Sequence, residues 1–399
     1  MATISPLDEL MHIDYLLRGA GPGFLRMSDR FSQEAMDEIS CRRHPSQPLP
    51  ACGARPYRPE DYSWEGRNLA SSHSPYYYVA TGVVARGLRA VLPGDSIVTW
   101  ARALGSVWLV AGLALILASA RRLAVSDWAV VPFLAVLALS PSTQHAATTV
   151  NPDATSVFAG GLVLLATLRA LQRDGSAWVV LGASLVAMLL DPGNLLVILA
   201  AAAVATVAAG HTLRERVGIV APLAVGAVAA ETANRLLVRA LGAVDYTGNP
   251  QDVLFSIDGI KGPMLWGEGT LFAMLPPTKG YLFPEMATDA HVVAVAAATA
   301  LAAAAIVAVG LGFGPRPRLD LLSVAATAGL GTLVLGGPLL VLTRFVFSSS
   351  YFPIPARYGL SLVPIVAIAG GAAFATRPAR AVVWTVAAAL ASTALASLL

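Results

Sequence analysis

Residues 5–19 read SPLDELMHIDYLLRG, and within them Asp8, Glu9 and His12 carry the densest chemistry of the chain. Ser5 suits a helix N-cap, Pro6 the first helical position, and Asp8 stands three residues after the cap. On the predicted helix Asp8 and His12 are four apart and Glu9 and His12 three apart, so all three share a face. Two readings stand. Either the acids complement the positive end of the helix, or they form a carboxylate pair at a membrane surface, a general base or metal ligand oriented by His12. A zinc peptidase is not indicated, because HExxH needs two His and this stretch holds one.

Other candidates lie further along. Asn151-Pro152-Asp153 opens an apolar helix: an N-cap, a first-turn Pro and a dipole-complementing acid, or a second acidic site facing the same compartment as the first. His73-Ser74-Pro75 leads into Tyr76, Tyr77 and Tyr78. Tyr at this depth anchors a helix at an interface, or with His73 it lines a sugar or lipid site. Glu231 and Arg235, four apart within a span, satisfy one another's charge. Lys261 and Lys279 are the only lysines, and Arg344 and Arg357 flank a later loop. Cations at this depth suit either ordinary interfacial anchoring or the phosphate of a lipid-linked substrate.

The elements that must position these residues are membrane helices. The 399 residues are 56% hydrophobic and only 13% charged, against roughly a quarter charged in soluble domains, and mean hydropathy is +0.66. Continuous apolar runs exclude a β-barrel, and a net charge of +3 gives no case for nucleic acid. Ten spans are predicted, near 97–118, 127–142, 154–171, 177–191, 193–209, 217–239, 290–312, 319–342, 357–375 and 380–398. One set of connecting loops (SARRLAVS, RALQRDGS, GHTLRERVG, GFGPRPRLD, TRPARA) carries two Arg each, while SPSTQHAATTVNPD and DPGN carry no Lys or Arg. The positive-inside rule puts the Arg loops in the cytoplasm and residues 1–96, 242–289 and 343–356 outside. The expected division is thus an extracytoplasmic region 1–96 and a transmembrane bundle 97–399 with the outer loop 242–289.

Residues 76–92 place apolar positions 76, 80, 83, 84, 87, 88 and 91 apart from Arg86 and Arg89, which predicts a helix lying in the interface. Residues 253–277, apolar but broken by Gly, Pro and charge, predict surface-lying or re-entrant pieces. Cys41 and Cys52, the only cysteines, are expected to form a disulfide in an oxidising compartment. An external N-terminus with no helix in front of it implies a first transmembrane helix ahead of Met1, which would make 11 spans in an intact chain.

These pieces, in this order, resemble the bacterial membrane-protein family called domain of unknown function 2142, itself similar to the GT-C class of polyprenyl-phosphate-sugar-dependent glycosyltransferases. The residues that carry the likeness are Pro6, Asp8, Glu9 and His12; Cys41 and Cys52; His73, Pro75, Tyr76, Tyr77 and Tyr78; Asn151 and Asp153; and Arg357, Tyr358 and Pro364. Ser74 and Asp191 depart from the pattern, where a Pro and a Lys-Pro pair are usual. The resemblance implies an all-α GT-C-like bundle in the bacterial plasma membrane. It also implies inverting transfer of a sugar from a polyprenyl phosphate to an envelope glycan or lipid at the outer face. Asp8, with Glu9, would take or position the acceptor's proton, and Arg357 and Lys279 would stabilise the leaving phosphate. His12, His73, Tyr76, Tyr77, Asn151, Asp153 and Tyr358 would line the substrate site, and a divalent cation, if used, would fall to Asp8 and Asp153. The alternatives are a carrier or flippase for a lipid-linked glycan precursor and an inactive envelope-assembly subunit. A transporter would be expected to place charges at mid-membrane in repeated halves, whereas here they gather at the outer surface.

Overall fold

The computed structural model describes residues 4–5, 9–21, 24–26, 29–42, 44, 47–93, 96–240, 289–311, 321–348 and 356–396. Asp8, Lys261, Lys279, the segment 253–277 and nearly all of the loops 242–289 and 343–356 lie outside them, as does the side chain of Arg344. Among the described residues the chain is helical, with no strand beyond an isolated bridge between Arg30 and Arg67.

Two helices and a series of 3-10 turns build an N-terminal layer: α1 (Glu9–Gly19), α2 (Gln33–Ser40), and turns at Pro59–Asp61, Ser63–Gly66 and Leu69–Ser72. A third helix, α3 (Pro75–Val91), closes the layer and leads into the bundle. Ser32 caps α2 by accepting from the Ala35 amide, and the Cys41–Cys52 disulfide follows directly after that helix. Asp14 ties the layer together: it accepts from the Ser32 amide and hydroxyl (2.9 and 2.8 Å), Asn68 Nδ2 (2.9 Å) and Arg18 Nε (3.0 Å). The layer has its own apolar core, from Ile4 through Tyr77 and Tyr78 to Ile97, Val98, Ala101, Val150 and Ala154. The seam with the bundle therefore runs through the first turn of the next helix rather than at residue 96.

The bundle comprises α4 (Ile97–Arg122), α5 (Asp127–Ala138), α6 (Pro141–Thr148), α7 (Ser156–Leu171), α8 (Ala177–Leu190), α9 (Leu195–Val207), α10 (Leu213–Ala240), α11 (Asp289–Gly310), α12 (Leu321–Ser348), α13 (Val363–Ala373) and α14 (Arg377–Ala396). Further 3-10 turns lie at Pro152–Thr155, Pro192–Asn194 and Ala356–Leu362. Six helices among the described residues are long and apolar enough to cross a membrane: Ile97–Arg122, Pro152–Leu171, Leu213–Ala240, Asp289–Gly310, Leu321–Leu340 and Arg377–Ala396. The protein is accordingly a multi-pass membrane protein.

The remaining expected spans differ. The segment 127–142 is interrupted, α5 and α6 meeting at 71°, because Pro141 has no amide to continue the hydrogen-bond ladder of α5. Counted as one broken span, that pair makes a seventh. The segments 177–191, 193–209 and 357–375 form short helices of 14, 13 and 11 residues. At 1.5 Å per residue these reach about 16–21 Å, less than the roughly 30 Å of a hydrocarbon core.

The Arg-bearing connections converge at one end. Arg121 pairs with Asp127 (2.6 Å), Arg122 with Asp174, and Arg173 with Glu215 (2.7 Å). Arg380 Nη1 reaches the Trp128 carbonyl from the start of α14 (3.4 Å). At this same end Trp128 and Trp178 are 78% and 79% exposed, the disposition of an interfacial aromatic belt. The turns 149–155, 191–194 and 356–362 meet at the opposite end, under the N-terminal layer. Close backbone approach makes that meeting possible. A Cβ on Gly160 of α7 would lie 2.1 Å from the Ser361 carbonyl oxygen, and one on Gly105 of α4 would lie 2.4 Å from that of Ala147.

Candidate functional site

The site is assembled from five segments that are remote in sequence. The turn before α7 forms as its residue types dictate. Asn151 Oδ1 accepts from the Asp153 amide (2.9 Å), and Pro152 occupies the first position, where no donor is needed. This delivers Asp153, which is buried, to the far end of the bundle. There its Oδ2 lies 2.6 Å from Arg357 Nε, and the guanidinium also lies over the Tyr358 ring (5.9 Å). Of the residues expected to act together, Asp153, Arg357 and Tyr358 are thus brought into one constellation.

Asp191 joins them. It sits in the turn between α8 and α9, outside either helix, where its Oδ1 accepts from the Gly193 amide (2.9 Å) and its side chain hydrogen-bonds Asp153. Two buried acids share one guanidinium here. Burial first, and the neighbouring Asp153 second, raise the Asp191 carboxyl above the usual carboxylate range. The arrangement is Arg357 cation, Asp153 carboxylate and Asp191 acid, which leaves no uncompensated buried charge.

The histidines pack above. His12 Nδ1 is 2.6 Å from Tyr78 Oη, and its ring meets His73 edge-on at 5.2 Å. Burial, then the nearby His73, Arg357 and His145, hold the His12 imidazole well below its usual range, so it is neutral at pH 7. His145 Nε2 lies 3.0 Å from Ser5 Oγ. Tyr15 stacks on Tyr78 at 4.1 Å.

Several expected substrate contacts have other work. Tyr77 is fully enclosed, its Oη accepting from the Asn151 amide (3.2 Å), so it fixes the turn from behind and its ring faces no substrate. Tyr76 points the opposite way, onto the exposed face of α3. Glu9 is 1% exposed and its carboxylate is saturated. Oε1 accepts from Arg102 Nε (2.8 Å) and the Val150 amide (2.9 Å), and Oε2 from Arg102 Nη2 (2.8 Å) and the Ser5 amide (2.7 Å). Such a carboxylate cannot also receive a substrate proton; Glu9 is a clamp between the N-terminal layer, α4 and the 150 turn. Glu231 and Arg235 do pair, at 2.6 Å.

A divalent cation does not fit the described residues. No three His, Cys, Asp or Glu side chains converge among them, and Asp153 is already neutralised by a guanidinium in contact.

Sequence reasoning passed over Arg102 and His145 and took Asp191 only as a departure. Arg102 had a signal of its own, a cation six residues into an apolar span that required a buried partner. The other two had none, since their partners are 140 and 38 residues away in sequence. The chain matches no protein-family model, no curated protein and no solved structure.

Proposed function

We propose that the chain is a GT-C-like glycosyltransferase that moves a sugar from a polyprenyl phosphate to an envelope glycan or lipid at the non-cytoplasmic face of the bacterial plasma membrane. The observation that carries this reading is the buried Asp153–Arg357 pair, with Asp191 beside it, at the bundle end opposite the Arg-rich connections. Sidedness is supported twice. The Arg connections suit the cytoplasm, and the Cys41–Cys52 bond in the N-terminal layer suits an oxidising compartment.

In this reading the acceptor hydroxyl attacks the anomeric carbon as the bond from that carbon to the phosphate oxygen breaks. The hydroxyl proton passes to Asp8, the carboxylate that the resemblance assigns to this task. Arg357 turns from Asp153 to the departing phosphate, which presents the same planar-fork complement as a carboxylate. Neutral His12, close enough to feel the Arg357 charge, and Tyr78 are themselves buried and pack behind the acid–guanidinium cluster, keeping water from that side of it.

The test is incubation of the purified, membrane-reconstituted protein with polyprenyl-phosphate sugars and envelope acceptors, followed by product detection. The parent should form product, and Arg357→Ala and Asp153→Asn should lose at least about a hundredfold in rate, as for removal of one charge-stabilising donor. An Arg357→Ala protein that turns over like the parent would sink the mechanism.

A second reading, carriage of the lipid-linked precursor, is favoured by two interruptions in the bundle, the 71° break between α5 and α6 and the half-length helices α8 and α9, since transporters use interrupted helices. Movement of the lipid across vesicles without sugar transfer would select it.

A further inference from the structure

Helix α3 has two apolar sides. Pro75, Tyr77, Tyr78, Thr81, Gly82 and Ala85 are buried and pack against α1 and α4. Almost diametrically opposite on the helical wheel, Tyr76, Ala80, Val83, Val84 and Val91 are exposed, and Leu92 continues the strip past the helix end. A helix that packs one apolar face on its own protein has no reason to expose a second to water.

The charges lie away from that strip, Arg86 roughly 110° and Arg89 roughly 170° round the helical wheel from its centre. Arg86 and Arg89 are exposed, and neither has an ion-pair partner among the described residues. Arg18, Arg42 and Arg55 of the same layer each pair with an acid, while Arg26 and Arg58, like Arg86 and Arg89, have no ion pair among the described residues.

The position of α3 identifies what covers the exposed face. Only residues 92–96 separate it from α4, a helix long and apolar enough to cross a membrane. Five extended residues span at most about 18 Å, so the C-terminal turn of α3 cannot lie far from the level at which α4 meets the bilayer surface. α4 itself exposes apolar side chains further along, at Val107 and Val110, as a helix facing lipid does.

We propose that α3 is a lipid-docking surface: its exposed apolar face sits at the acyl–headgroup boundary of the leaflet while Arg86 and Arg89 bind the phosphates of anionic phospholipids. The partner is the bilayer itself, not a soluble protein and not the phosphate of a lipid-linked sugar. The opposite face of α3 carries Tyr77, hydrogen-bonded to the Asn151 amide, and Tyr78, hydrogen-bonded to His12. Lipid seating of α3 thus also sets the floor of the candidate site.

The experiment uses the full chain carrying Val83→Cys, labelled with an environment-sensitive fluorophore. The protein is reconstituted in phosphatidylcholine vesicles with a minor fraction of phosphatidylglycerol and no polyprenyl lipid, and either phospholipid is brominated on its acyl chains in turn. The label should be shielded from aqueous iodide and quenched more strongly by brominated phosphatidylglycerol than by brominated phosphatidylcholine. The preference should fall by about fivefold for each of Arg86→Gln and Arg89→Gln, near the contribution of one basic residue at an anionic surface. Quenching by iodide, or by neither lipid, would mean that water or another protein covers this face and would overturn the proposal. Equal quenching by the two lipids in the parent would overturn the anionic-headgroup half of it.

Discussion

The Glu9–Arg102 pair invites the sharpest perturbation, because both side chains are nearly sealed, at 1% and 6% exposure. Glu9→Gln keeps the shape and removes the charge. A pair of unit charges about 4 Å apart at an effective dielectric near 20 is worth roughly 4 kcal/mol. The variant also weakens the acceptors of the Ser5 and Val150 amides, which lie 2.7 and 2.9 Å from the carboxylate. Orphaned buried donors cost about 1–3 kcal/mol each, partly recovered by relaxation. The net expectation is a loss of about 3–5 kcal/mol, typical of breaking a buried pair from one side. Arg102→Met should cost a similar amount by leaving the Glu9 carboxylate uncompensated. The double variant, Glu9→Gln with Arg102→Met, buries no lone charge and should lose clearly less than the sum of the two. Denaturant unfolding in detergent, followed by tryptophan fluorescence, reads all three; Trp100 lies two residues from Arg102 on α4. Strict additivity, or a single-variant loss under about 1 kcal/mol, would refute the assignment of Glu9 as a clamp.

Three further expectations follow from the same geometry. Asp191→Asn should be tolerated, since an amide can still donate to Asp153 and accept from the Gly193 amide, whereas Asp191→Leu should lower the thermal midpoint. The folded-state pKa of Asp191 is raised to about 8, so the stability it contributes is complete below its unfolded value of about 3.9 and is lost as pH rises through the folded value; a pH series of melts should show that decline, which falls between about pH 4 and 8, vanish in Asp191→Asn. His12 behaves in the opposite sense. Its pKa is depressed, so its contribution is intact above about 6.5 and drains away as pH falls, by up to about 1.4 kcal/mol per pH unit; His12→Gln should flatten that acid-side slope. Gly160→Ala forces a methyl toward the Ser361 carbonyl oxygen, placed at 2.1 Å, and should cost about 1–3 kcal/mol while pushing Arg357 off Asp153, read as reduced melting together with reduced turnover in the proposed reaction.

The sequence made some of this architecture legible and hid the rest, for physical reasons. The Arg-rich connections could be read because charge is expensive in hydrocarbon and collects at one end, where Arg121, Arg122, Arg173 and Arg380 indeed gather. The turn at Asn151-Pro152-Asp153 could be read because capping is local. The exposed apolar strip of α3 emerged from helical spacing alone, although the equally apolar buried side did not, since small residues such as Gly82 and Ala85 carry little signal. Span length was misjudged at α8, α9 and α13, which are apolar throughout. α13 is enclosed while α8 and α9 keep exposed apolar residues such as Val179 and Leu199, and composition distinguishes neither a helix enclosed by protein from one facing lipid nor a short helix from a span. What stayed hidden was pairing. Glu9 looked like a base because its partner, Arg102, is 93 residues away, and Asp191 looked like a lost lysine because its partners arrive on two other turns.

The proposed reaction requires the Asp153–Asp191–Arg357 end to face away from the cytoplasm. Gln144, exposed on α6 at that end, and Arg173, exposed among the Arg connections, offer two reporters in a protein whose only cysteines are bonded to each other. A membrane-impermeant maleimide applied to intact cells should label Gln144→Cys at once and Arg173→Cys only after the membrane is opened. The reverse pattern would place the acid–guanidinium end in the cytoplasm and contradict the proposed reaction at the outer face.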